Sequence, residues 1–100
     1  MTFAEMESKI HSIAIRSSSF KIGETGQEHY ARLNQHPDKF RRIEVITWSK
    51  NKKEIDIAEA KMIEIFINRT NCANKKTGRA GKMGKSKKYM LYVIYVLKRK

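Results

Sequence analysis

One hundred residues bound the chain to a single domain, spanning residues 1 to 100, with room for one modest core. Hydrophobic residues at 40% and charged residues at 32% are the balance of a soluble globular protein, and no apolar run approaches the roughly 18 residues of a membrane span. The opening MTFAEMESKI lacks the basic-then-apolar order of a signal peptide, and the lone Cys72 rules out an internal disulfide, so the expected location is cytoplasmic. Lys and Arg number 22 against 10 Asp and Glu, a net charge of +12. Self-repulsion of that size calls for a polyanionic partner: nucleic acid first, an acidic protein second, with no basic amphipathic helix to favour a membrane.

In chain order, Thr2-Phe3-Ala4-Glu5 has the form of a capping box and predicts a short helix over about residues 3 to 9. Residues 10 to 16 alternate and are rich in β-branched side chains, which predicts a strand. Ser17, Ser18 and Ser19 supply a turn into a second strand at 20 to 23, making a hairpin that ends at Gly23. A helix over about 26 to 36 follows, with Arg32 and His36 one turn apart on one face and Pro37 ending it. Residues 42 to 48 read as the third strand. Ile55, Ala58, Met62, Ile65 and Phe66, widened by Ile57 and Ile63, mark a helix over 53 to 68. A basic Gly-rich loop occupies 75 to 88. The run at 89 to 97 is a strand whose Tyr89, Leu91, Val93, Tyr95 and Leu97 share one face. The expected fold is α+β, a small, mostly antiparallel sheet of three to four strands with two main helices packed on it.

Four landmarks occur in order: Phe20-Lys21-Ile22-Gly23-Glu24-Thr25, then Arg32 and His36, then Ala58-Glu59-Ala60-Lys61-Met62-Ile63, then Asn71 with Asn74 close behind. Over roughly residues 12 to 74 this pattern resembles the GIY-YIG nuclease superfamily. The resemblance implies a nucleic-acid-binding protein and a Mg²⁺- or Mn²⁺-dependent endonuclease hydrolysing phosphodiester bonds in DNA. Glu59 would hold the metal, Arg32 would face the phosphate, His36 would assist proton transfer, and Asn71 would anchor local hydrogen bonds. Both signature tyrosines are missing. HSIAIR has no GIY triplet, and Lys21 stands where the YIG tyrosine would be, so the base would be a desolvated Lys21, His29 or Tyr30. The alternative is a non-catalytic basic protein that binds DNA, RNA or an acidic protein partner, as a small regulator or phage-type inhibitor does.

Apart from the resemblance, the density of Lys75, Lys76, Arg79, Lys82, Lys85, Lys87 and Lys88 predicts contact with the phosphate backbone without sequence specificity, DNA ahead of RNA. Gly84-Lys85-Ser86 is no P-loop, since a strand follows where that motif needs a helix. Trp48 reads as core or half-buried strand, with base stacking open to it if exposed. Tyr89 and Tyr95 read as core packing or edge pairing. His11 and His29 read as surface groups, without zinc spacing.

Overall fold

The computed structural model describes residues 1–27, 41–74 and 86–98. In chain order these form α1 (Phe3–Ile15), β1 (Ser17–Gly26), β2 (Arg41–Ser49), α2 (Lys52–Phe66) and β3 (Tyr89–Leu97). The three strands make one antiparallel sheet in the order β1-β3-β2, so the last strand is the central one. The α+β class is as expected, with three strands and two helices. The helix expected at about 26 to 36 falls almost wholly outside the described residues.

The capping box forms. Glu5 N–H donates to Thr2 Oγ1 at 3.1 Å, and Thr2 N–H donates to Glu5 Oε1 at 2.9 Å. The helix it starts does not end near residue 9, and the strand expected at 10 to 16 is helix as far as Ile15. The reason is a second periodicity in the same residues. Met6, Ile10, Ile13 and Ala14 recur at helical spacing and are all buried, so core packing overrides the β-branched preference of the segment. The Ser17 hydroxyl then donates to Ile13 O at 2.6 Å as the chain turns. With no strand before it, β1 forms no hairpin and pairs with β3 instead. It begins at Ser17, so the three serines belong to the strand, with a register irregularity between Ser17 and Ser19.

Strand β3 has the bounds expected, and its Tyr89, Leu91, Val93 and Tyr95 are buried. They meet Phe20 and Ile22 of β1 and Ile46 of β2, the last at a bulge between Val45 and Thr47. Both helices cover this face, α1 with the four residues above and α2 with Ile55, Ala58, Met62, Ile63 and Phe66. Phe20 and Phe66 pack edge to face, centroids 6.1 Å apart at 88°, which fixes the end of α2 on β1. Two members of the expected α2 stripe are corrected: Ile57 and Ile65 are exposed, while Glu59 is buried. The stripe is rotated toward the acidic side chain.

Residues 71–74 run along the outer edge of β1. Phe20 N–H donates to Asn71 O, and Ala73 N–H donates to Phe20 O. Asn74 then brackets Ile22 like a backbone partner: its Oδ1 accepts from Ile22 N–H at 2.9 Å and its Nδ2 donates to Ile22 O at 3.0 Å. Backbone groups of an edge strand are thereby satisfied. Among the described residues, no helix is long and apolar enough to cross a membrane.

Candidate nucleic-acid interface and a buried carboxyl cluster

Cross-strand pairing sets which way each β1 side chain faces. Glu24 pairs with Leu91 and therefore shares the core side of the sheet, where α2 presents Asp56 and Glu59 three residues apart. Glu59 is 7% exposed, because the flanking Ile55, Ala58, Met62 and Ile63 hold that helix face against the sheet. Both Glu24 carboxyl oxygens are shut off from solvent and have no donor to accept from. Burial, the nearby Asp56 and the Glu59 charge raise Glu24 to about 8, so at neutral pH it keeps its proton and donates it to Asp56. Burial pushes Asp56 the other way from where it ends. Hydrogen bonds from Glu24 and Lys52 overcome that burial and hold Asp56 below its ordinary value. The Lys52 ammonium reaches both Asp56 oxygens, at 3.1 and 3.0 Å. Burial and then the Asp56 charge raise Glu59 to about 7.

These carboxyls are oxygen donors of the kind Mg²⁺ takes. Among the described residues, however, no group of three or more His, Cys, Asp or Glu side chains is disposed to hold a metal ion. Lys21 is exposed and pairs with Ile94, on the face of the sheet away from the core, so Lys21 and Glu59 lie on opposite faces and do not converge. Asn71 donates from Nδ2 to Ala14 O at 2.9 Å and Ser17 O at 3.1 Å, tying the segment after α2 to the end of α1. Arg32, His36, Lys75, Lys76, Arg79, Lys82 and Lys85 lie outside the described residues, as do His29 and Tyr30. Lys87 is exposed and Lys88 half-buried.

A tyrosine hydroxyl does meet the Lys21-Ile22-Gly23 triplet, from a strand the sequence did not place there. Tyr92 of β3 pairs with Gly23, and its phenol lies across the space a side chain at Gly23 would fill. Burial raises the Tyr92 pKa first, and the Glu59 charge adds to it. The pairing of β1 with β3 is the missing signal, and nothing local to Gly23 carries it.

The other feature sequence reasoning missed is where cations gather. The start of β1, the start of β2 and the end of β3 form one end of the sheet. Arg41 pairs with Val96 and Arg42 with Tyr95, Lys21 pairs with Ile94, and Lys98 N–H donates to Arg16 O. The Arg16 guanidinium lies 5.7 Å from the Tyr95 ring centroid. Arg16, Lys21, Arg41, Arg42 and Lys98 are all exposed, and the only salt bridge among the described residues is Lys52 with Asp56, at the opposite end. Arg16, Arg41, Arg42 and Lys98 thus gather at one end of the sheet, with Lys21 midway along β1, and none of the five has a carboxylate partner among the described residues. Comparison of the chain with protein-family models, with curated proteins and with solved structures finds no match.

Proposed function

We propose that the protein binds nucleic acid, DNA ahead of RNA, by gripping the phosphate backbone. The observation that carries this reading is the group of exposed cations Arg16, Arg41, Arg42 and Lys98 at one end of the sheet, with Lys21 further along β1, none salt-bridged among the described residues. A phosphate chain supplies the counter-charges the fold withholds, and releases condensed counterions on binding. The buried carboxyls reinforce the argument. Glu24 and Glu59, with pKa values near 8 and 7, are largely or partly uncharged at neutral pH, so the formal +12 understates the positive field. The test is a titration of labelled DNA and RNA across a range of salt. Salt-sensitive binding that weakens when Arg41 and Arg42 become Ala supports the reading, and absence of binding at low salt sinks it.

Phosphodiester hydrolysis, in the manner the GIY-YIG resemblance implies, is a second reading. What favours it is Glu59 beside Asp56 on α2. Lys21 and the Tyr92 phenol lie on the other face of the sheet from Glu59, which counts against either acting together with it. Incubation of plasmid and single-stranded DNA with Mg²⁺ or Mn²⁺, alongside Glu59→Gln, decides it. Cleavage lost in the variant supports an endonuclease, and binding without cleavage in either metal leaves a binding protein. An acidic protein partner would use the same cations, and competition between such a partner and DNA would reveal it.

A further inference from the structure

The single tryptophan of the chain stands in the open. Trp48 lies near the end of β2 and is 53% exposed, an unusual place for an indole that nothing in the core requires there. It lines a groove of about 390 Å³ between the sheet and the two helices, together with Met1, Phe3, Thr47, Ile55 and Ile57. Met1, Phe3 and Ile57 are themselves exposed, so the groove gathers most of the large apolar surface the described residues leave in water.

Cations stand directly beside it. Lys88 Nζ is 4.4 Å from the centre of the indole, a cation–π contact, and Lys50 and Lys87 are exposed in adjoining segments. The carboxylate in the groove, Glu54, is engaged by the Ser49 hydroxyl at 2.6 Å. Trp48 pairs with Met90, so its indole turns, with Lys88 over it, toward the sheet face away from the helices, and the site therefore offers a flat aromatic surface at the rim of the apolar groove with positive charge against it. A single-stranded nucleic acid carries the complement of both within one nucleotide, a base face and a phosphate. A duplex keeps its base faces stacked away. A purely apolar peptide leaves the lysines without counter-charge, and a second copy of this chain would bring two strongly positive molecules together.

We infer that Trp48 and its groove form a base-stacking subsite for single-stranded nucleic acid, with Lys88 and Lys50 receiving the adjoining phosphates. This rests on the nucleic-acid reading and narrows it to a substrate class. A base stacks on the free surface of the indole or displaces the Lys88 ammonium, which turns to the phosphate. Stacking on an aromatic ring tolerates any base, so the subsite confers strand type and not sequence.

The test titrates the full chain with an oligo(dT) single strand, with a duplex of the same length, and with heparin, a polyanion without bases. Tryptophan fluorescence reports on Trp48 alone, and labelled ligands report binding separately. Oligo(dT) is expected to quench the fluorescence saturably, while the duplex and heparin bind without quenching. Trp48→Ala should weaken oligo(dT) binding by roughly 5- to 150-fold and leave heparin binding unchanged, and Trp48→Phe should restore most of the loss. Oligo(dT) binding without quenching, at the same affinity in Trp48→Ala, overturns the subsite while the charge-driven binding stands; that result is the one expected if the groove receives a protein segment. If neither oligo(dT) nor heparin binds the unaltered protein, the nucleic-acid reading itself fails and takes the subsite with it.

Discussion

The hydroxyl of Tyr92 lies 2.6 Å from the point a β-carbon on Gly23 would occupy, and the ring carbon that bears it lies 2.7 Å away. No glycine among the described residues has a positive φ, so what Gly23 supplies is space and not an unusual backbone angle. Gly23→Ala should force the phenol aside and destabilise the fold by about 1–3 kcal/mol. In a denaturant titration, Gly23→Ala combined with Tyr92→Ala should cost less than the two separate losses added together. Simple additivity would mean that the two residues do not compete for the same space.

The carboxyl cluster sets a pH dependence whose sign follows from its raised values. The ordinary glutamate value is 4.5, and the folded protein holds Glu59 near 7 and Glu24 near 8. Between 4.5 and those values, the folded state keeps protons that the unfolded chain has released. Stability from these groups is therefore complete below about pH 4.5 and is lost as pH rises through 7 and 8. The expected change between pH 5.5 and pH 9 is a fall in Tm. Replacing Glu24 and Glu59 together by Gln should flatten the profile. A Tm that rises across this range would refute the assignment.

Asn71 and Asn74 should act on stability and not on binding. Asn71→Ala removes the side-chain donor of Ala14 O and Ser17 O, and Asn74→Ala strips Ile22 of both side-chain partners. Each should cost about 1–3 kcal/mol in chemical denaturation. Affinity for DNA, measured well below the melting transition, should not change. A loss of binding without a loss of stability would move either residue from scaffold to interface.

The basic end of the sheet predicts a salt slope. If its four cations and Lys21 each neutralise one phosphate, log K against log salt should fall with a slope of about −3.5 on single strands. Arg41→Ala and Arg42→Ala should each reduce that slope by roughly one and weaken all sequences alike. Sequence-dependent losses would indicate base contacts instead.

Much of the fold was legible because the pattern of apolar residues had one solution. Residues 89 to 97 are an unbroken apolar run of strand length, rich in aromatic and β-branched side chains, and the stripe through Ile55, Ala58 and Met62 has helical spacing. Residues 10 to 16 had two solutions. Ile10, Ile13 and Ala14 satisfy a helix, while the alternation and β-branching satisfy a strand, and only contact with Met6 and the sheet decides between them. The candidate site was less legible for a different reason. Arg16, Arg41 and Lys98 are distant in sequence and become neighbours through strand order alone. Glu24 meets Asp56 and Glu59 in the same way, and the burial that retunes their protons depends on how α2 lies on β1.

The central place of β3 also bears on how the molecule comes into being. β1 and β2 are not neighbours in the sheet, and each finds its partner only in β3, which follows both in the chain. No β1–β3 pair is closer in sequence than Gly26 with Tyr89, so the ladder closes over a long loop. Such pairing is slow, and while it waits, Phe20, Ile22 and Ile46 have no sheet to join. Until that pairing forms, the cations carried by different segments are not held together. They are brought to one end of the sheet only when β3 slots between its neighbours, so the charge distribution of the folded molecule is completed by the same step that completes the sheet.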